Sequence, residues 1–416
     1  MKVLGLVTEY NPFHNGHLYH LRESKRVTGA THTVAVMSGH FLQRGEPAIA
    51  DKWTRAAMAV ASGVDLVIEL PAVYACASAD HFARGSVLLL EQLGCVTDLC
   101  FGSENGQLDA IDRISDILAY PTREYEQELR RGLDKGVSFS AAQQSALIKT
   151  LNKTVDGQLN VLSVFNQPNN ILGIAYLTQL KLNQCRMKAH TIRRIGAGYH
   201  DEHLHHQISS ATGIRHQIRQ SNDLSGIRHC VPEAAFDLLC KGFSMQGGPV
   251  FMSDFEDAVM ILLKRTNEKE LTKLPYVTEG LENRMMNCIR KSSTLDAFFS
   301  CVKNKRIPYT RLQRIVIHLL LGIDNSLAVP WYTQQKPPYA RILAFNDTGR
   351  ALIKHCRTTA QIPLISKTAT FQPDSLHVQE LLMLDYRASR IYGTALKSHQ
   401  FRQGEPDLLI SPIYLR

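Results

Sequence analysis

The chain has 416 residues, 44% of them hydrophobic and 20% charged, which suits a soluble globular protein large enough for two or three domains. Lysine and arginine number 47 against 38 acidic residues, a net charge of +9, and this excess is compatible with a polyanionic partner such as RNA. The nine cysteines are scattered without a C-x-x-C pair, a pattern expected of reduced thiols in the cytoplasm; no apolar run has the length of a signal-peptide core or a membrane span, and the one at 315–321 is interrupted by His318.

The first element is a short apolar run, Val3-Leu4-Gly5-Leu6-Val7, read as a buried strand that the Asn11-Pro12 step ends. A helix is expected from near Gly16 to Arg26. His14 and His17 then stand three apart at the start of that helix, beside backbone N–H groups that lack helical partners. Such a place can hold a phosphate, because imidazoles and the helix terminus both favour negative charge building on phosphorus. Gly16 is expected to keep the backbone bare for a nucleotide. The competing reading is two surface histidines in a loop, and the strand before and helix after argue against it.

Thr33 to Met37 reads as a second strand, ending at Ser38-Gly39. Asp51 caps a helix through Ala61 that Gly63 closes, and Asp65 to Leu70 reads as a third strand. Asp80 to Leu93 reads as a helix closed by Gly94, and Asp98 to Phe101 as a fourth strand. The β-α-β-α order implies a parallel sheet with helices on its faces, whose ligands bind outside the carboxyl ends of the strands. Those ends carry Glu9-Tyr10-Asn11, Ser38-Gly39-His40 and Gly102-Ser103-Glu104.

Residues 105–185 read as helical, and 187–195 as a further strand ending in Gly196-Ala197-Gly198. Ser210-Ala211-Thr212 looks like a helix start with Ile214 and Arg215 in its first turn. A boundary is placed near residue 225. The fold class expected is thus α/β: a Rossmann-like parallel sheet domain over 1–225, then a mainly helical, basic region over 226–416. In the tail, 340–345, 349–356 and 362–365 read as one strand-helix-strand unit.

No G-x-x-x-x-G-K-[ST] is present, and Gly196-Ala197-Gly198 lacks the third glycine of the dinucleotide fingerprint. Ser210 to Arg215 offers hydroxyls and an arginine at a helix start, suited to outer phosphates. His200, His203, His205 and His206, with Asp201 and Glu202, have no zinc spacing and are read as a solvated loop, so no metal site is assigned. From 284 to 314 eight Lys or Arg accompany one acid, Asp296, with Phe298, Phe299 and Tyr309 between them. Leu312, Ile315, Val316, Leu319 and Leu320 mark a core face there. Lys303, Lys305, Arg306, Arg311 and Arg314 are taken as candidate contacts to an RNA backbone.

The H-x-G-H and S-x-T-x-[IL]-R pair resembles the nucleotidylyltransferase superfamily. Glu9 to His17, Gln43 to Ala48, Phe101 to Glu104, Pro168 to Gly173, Arg194 to His200, Pro308 to Arg311 and Leu319 to Gly322 together look like the bacterial tRNA(Met) cytidine acetate ligase family. Ala211 stands where the superfamily motif often has a second serine. The resemblance implies that acetate attacks the α-phosphate of ATP to give acetyl-adenylate. The N4 amine of the wobble cytidine of elongator tRNA(Met) then takes the acetyl group, without acetyl-CoA. It implies ATP binding by Val7, Thr8, Glu9, Tyr10, Asn11, Pro12, Phe13, His14, Asn15, Gly16, His17, Leu18, Tyr19 and His20, completed by Gly102, Asn169, Asn170 and Arg194. His14 and His17 are implied to be catalytic at the pentacoordinate phosphorus. Arg193, Thr212 and Arg215 are added as candidate phosphate contacts, and Mg²⁺ is expected to travel with ATP. Asp51, Glu9 and His40 stay open as bases for the amine. Two other readings are a small-molecule adenylyltransferase of cofactor synthesis and a non-catalytic RNA-binding protein with a relict nucleotide fold.

Overall fold

The computed structural model describes residues 1–154, 164–165, 167–195, 208–221 and 223–416. The expected turn at 196–198 and the histidines at 200–206 lie outside the described residues. Among the described residues eight strands form one sheet: β1 (Val3–Thr8), β2 (His32–Ser38), β3 (Leu66–Leu70), β4 (Asp98–Ser103), β5 (Lys188–Arg193), β6 (Ala340–Phe345), β7 (Leu364–Ile365) and β8 (Ile413–Tyr414). Their order is β5-β4-β1-β2-β3-β6-β7, with β8 also on β6. All pairs are parallel except β3 with β6.

The strands form where the sequence is apolar on both faces, as a sheet covered on both sides requires. Val34, Val36, Leu66 and Ile68 enter one core, and Leu4, Leu6, Ala35, Met37 and Val67 enter the other. From β1 the chain proceeds to β2 and β3 on one side, then reverses to β4 and β5 on the other. The switch lies between β1 and β4, so a crevice opens at their carboxyl ends.

Beyond the boundary expected near residue 225 the chain is mainly helical and also adds strands to the first sheet. Helices fill 233–333, but β6, β7 and β8 return the chain to the sheet begun at residue 3. The tail unit forms as read, with a helix at Asp347–Thr359 between β6 and β7.

A buried charge cluster fixes this return. Lys52 at the start of the Lys52–Ala61 helix reaches Glu69 on β3 at 2.7 Å and Asp407 in the tail at 2.6 Å. Arg341 on β6 reaches Glu69 at 3.1 Å and also pairs with Asp407. Lys52 and Arg341 hold the Asp407 carboxyl well below the usual carboxylate range against the opposing effect of its burial. Two cations facing two anions make the cluster tolerable in a dry interior.

One cysteine expectation is corrected. Cys288 in the Leu281–Lys291 helix and Cys301 in the Leu295–Val302 helix are joined as a disulfide, with Cα atoms 5.7 Å apart. A helix-turn-helix brings together residues 13 apart in sequence, a spacing no short motif announces. No single helix among the described residues is long and apolar enough to cross a membrane.

Replacing Asp407 by Ala leaves the buried Lys52 and Arg341 short of an anion. The unfolding free energy in a urea titration is expected to drop by about 3–5 kcal/mol. An unchanged midpoint and slope would contradict a structural role for the cluster.

Candidate active site

The crevice is shaped first by backbone. Tyr10 takes a left-handed conformation, φ 46°, just beyond β1, one that costs a non-glycine residue energy and needs fixing from outside. Arg55 supplies part of that fixing. Fully buried, it donates to the carbonyls of Glu9 at 2.5 Å, Ser38 at 3.1 Å, Ala50 at 3.0 Å and also Gly39. One guanidinium therefore ties the carboxyl ends of β1 and β2 together. Asn11 accepts from the backbone N–H of Ile49 at 2.7 Å, which anchors the same turn.

The Asn15–Thr28 helix then begins with an unusual cap. His14 is the N-cap, and its Nδ1 accepts from the N–H of Gly16 at 3.0 Å. His17, three residues on, accepts from the N–H of His14 through its own Nδ1 at 3.3 Å. This is a capping box in which both partners are imidazoles. The rings lie 3.9 Å apart. A ring nitrogen that accepts an N–H carries no proton, so a neutral imidazole here has its proton on Nε2. Burial, with Arg194 and Arg215 adding repulsion, pulls the His14 imidazole down to about 3. His17 is lowered by burial and by His14, Arg194 and His20. The cap therefore holds two neutral rings that offer Nε2–H donors.

Gly16 makes room for the capping histidine, since a Cβ there would sit 2.7 Å from the ring of His14, and it also lines the cavity around the cap.

Around this cap lies a cavity of about 220 Å³. It is lined by Val7, Thr8, Glu9, Tyr10, Asn11, His14, Gly16, His17, Tyr19, His20, Gly102, Asn169, Arg194, Thr212 and Arg215, all expected from the sequence. Four residues of the expected 7–20 loop are not in its wall. Pro12 and Phe13 are buried, Leu18 packs on the core, and Asn15 donates to the carbonyl of His229 at 2.9 Å. Asn15 and Leu18 lie on the sides of the Asn15–Thr28 helix turned from the crevice, and Pro12 and Phe13 precede that helix.

Asn170 is likewise absent from the wall. Its side-chain oxygen accepts from the N–H of Glu104 at 3.2 Å, and the Glu104 carboxylate accepts from the N–H groups of Asn169 at 3.3 Å and Asn170 at 3.2 Å. The same carboxylate receives the Asn169 side-chain amide at 2.9 Å. Glu104 thus caps the Pro168–Leu182 helix and aims Asn169, while Asn170 locks the loop. Arg193 is exposed and packs beside Gly106, outside the cavity. Neighbouring residues point oppositely at a strand end, so Arg194 enters the cavity and Arg193 does not. The stem of Arg194 crosses Gly102, where a Cβ would lie 3.1 Å from its Cγ.

Arg215 is held from two sides. It donates to the carbonyl of Asn11 at 2.9 Å and pairs with Glu46 at 3.1 Å. Ser210 caps the helix that carries it, accepting from the N–H of Gly213 at 2.9 Å. Sequence reasoning missed Gln43, Arg44 and Glu46, as well as Phe82, Phe101, Leu172 and Tyr176, in the same lining. The Gln43–Ala48 block carried a signal for the first three. The apolar residues gave none, since each reads as ordinary core.

Of the open bases, Glu9 lines the cavity; burial raises its carboxyl, with a hydrogen bond from Gln43 N–H opposing. Asp51 is spent capping its helix through the N–H groups of Trp53 at 2.9 Å and Thr54 at 3.0 Å. His40 is buried against Tyr392, ring centroids 4.4 Å apart, outside the cavity wall. Among the described residues no group of three or more His, Cys, Asp or Glu is arranged to hold a metal.

The basic stretch divides. Lys303, Lys305 and Arg306 are exposed. Arg311 donates to the Tyr276 carbonyl at 2.9 Å and to Thr278 at 2.8 Å, and Arg314 donates to the Gln43 carbonyl at 3.2 Å. These two arginines also bind helix to loop, so part of their donor capacity is taken within the fold.

A Rossmann-like sheet that delivers an H-x-G-H helix cap, two arginines and an asparagine to its switch point defines a nucleotide-binding enzyme of the nucleotidyl-transferring class. The family model described as HIGH Nucleotidyl Transferase matches residues 1–407, and the chain belongs to that family. A relative from Alkaliphilus metalliredigens, a tRNA(Met) cytidine acetate ligase, is 43% identical over 100% of this chain and 99% of its own. Another of that name, from Acetivibrio thermocellus, is 40% identical over 97% of each. The crystal structure of Thermotoga maritima TmcAL without ligand superposes with a TM-score of 0.96 at 35% identity, and the form bound with alpha-thio ATP at 0.94, each covering 100% of both chains.

The cap yields a pH prediction. The unfolded chain protonates His14 near the ordinary value of about 6.5, whereas the folded chain resists until about 3. Stability present above that ordinary value is therefore lost as pH falls through the interval, at about 1.4 kcal/mol per pH unit. Asn also caps helices but does not titrate. In urea titrations between about pH 6.5 and 4, His14→Asn should lack this part of the decline. Parallel curves for the two proteins would contradict the buried neutral cap.

Proposed function

We propose that this chain activates acetate with ATP and transfers the acetyl group to N4 of a cytidine in tRNA(Met). The observation that carries the reading is the double-histidine cap inside a cavity with Arg194, Arg215 and Asn169, in a chain matched end to end by tRNA(Met) cytidine acetate ligases.

Acetate is a poor acylating agent, and joining it to AMP supplies a leaving group. An acetate oxygen attacks the α-phosphorus of ATP, and pyrophosphate leaves. The Nε2–H groups of His14 and His17 donate to the α-phosphate oxygens as negative charge grows there. Each neutral ring has one N–H, and with Nδ1 used in the cap it is the Nε2–H that donates. Arg194, Arg215 and Arg44 offset the repulsion between acetate and the phosphates. Mg²⁺ carried by ATP would further offset the phosphate charge. Phe101, Leu172 and Tyr176 offer the apolar wall that a purine needs. In the second step the cytidine amine attacks the acetyl carbonyl, AMP leaves, and the nitrogen gives up a proton.

The wobble cytidine of elongator tRNA(Met) is the acceptor this reading implies, because an anticodon base can be unstacked. Residues 226–416, with Lys303, Lys305 and Arg306 exposed, are assigned to the RNA. Acetyl-CoA takes no part.

Purified protein given ATP, Mg²⁺, labelled acetate and unmodified tRNA(Met) should yield labelled N4-acetylcytidine; an unlabelled RNA would sink the reading. His17→Ala should slow acetate-dependent exchange of pyrophosphate into ATP by about 10²–10³, as loss of one oxyanion donor does. Exchange at the original rate would remove His17 from the first step.

A further inference from the structure

A second groove, about 320 Å³, lies against the ATP cavity. Glu46, Thr212 and Arg215 line both, so the Arg215–Glu46 ion pair is a shared wall. Nothing in the first half-reaction uses the groove beyond that wall. Its two sides differ in chemistry. The Ala211–Ser221 helix presents Arg215 and Arg219 four apart, hence on one face, with His216 beside them. The lining also carries Tyr309 and Asp296, both exposed, and Glu256, whose carboxylate accepts from the N–H of Leu295 at 2.9 Å. The Tyr309 ring stands edge-on to Phe299, centroids 5.0 Å apart, with the Lys303 ammonium 6.0 Å from its centre. Arg219 lies over Phe251 at 5.6 Å.

We propose that this groove is the acceptor pocket, holding one unstacked nucleotide of single-stranded RNA with its base on Tyr309 and its phosphate on the Arg219 side. The proposal rests on the ligase reading and says where the second substrate enters. Cations on one wall suit a phosphate, whereas Asp296 repels one, so the groove orients the nucleotide. An aromatic ring serves any base through its face. The exposed Lys303, Lys305 and Arg306 lead directly to Tyr309 along the chain and extend the positive track for the flanking backbone. A base seated here meets the ATP cavity across the Arg215–Glu46 wall, where the acetyl group is made.

The test uses the whole protein and two readouts: acetate-dependent pyrophosphate exchange, and acetyl transfer to unmodified tRNA(Met) with KM and kcat resolved. Arg219→Ala and Tyr309→Ala should each lower kcat/KM for tRNA about tenfold or more, while exchange keeps its original rate. Tyr309→Phe retains the ring and should restore transfer. Transfer at full efficiency in both alanine variants would overturn the pocket, as would equal loss of both half-reactions. Failure of the unaltered protein to acetylate tRNA while it still forms acetyl-adenylate would instead overturn the ligase reading.

Discussion

The reciprocal cap between His14 and His17 is the interaction on which the site depends. A helix start normally satisfies its free N–H groups with serine, threonine, asparagine or aspartate. Here two imidazoles do so, each through Nδ1. The consequence is chemical as well as structural. The bonds that begin the helix also fix the tautomer, orient both rings and leave Nε2–H as the donor. The same cap explains Gly16, since a side chain there would occupy the space of the His14 ring. Folding and the presentation of the Nε2–H donors thus share one set of hydrogen bonds.

The cap can do this only because its surroundings are held rigidly. Arg55 binds the ends of β1 and β2 from beneath, and Glu104 aims Asn169 from the end of β4. Farther out, the Lys52–Glu69–Arg341–Asp407 cluster binds the tail to β3 and β6. Lys52 belongs to the same helix as Arg55 and stands one residue after Asp51. Strain at Tyr10 is therefore opposed by a framework that includes both ends of the chain.

The sequence announced what is periodic or local. The strands β1 to β5, the helices between them and the Ser210 cap follow from apolar runs, caps and glycines that lie close together. The helix start at His14 and the strand ends were legible for the same reason, and the family resemblance implied the rest of the expected wall, including Asn169 and Arg194. What escaped depends on distance or on orientation. Lys52 and Asp407 are 355 positions apart, so no local pattern could pair them. Arg193 and Arg194 differ only in which side of β5 they face. Arg311 and Arg314 carry the charge of an RNA-binding surface, yet each already gives one donor to a loop carbonyl. Composition registers charge but not whether it is spent.

The account stands or falls on the protonation of two rings. Selective ¹⁵N labelling of histidine, followed by imidazole two-bond correlation spectra near neutral pH, reports it directly. The account predicts that His14 and His17 are both neutral, with the proton on Nε2 and Nδ1 bare. An imidazolium at either position, or a proton on Nδ1, would contradict it.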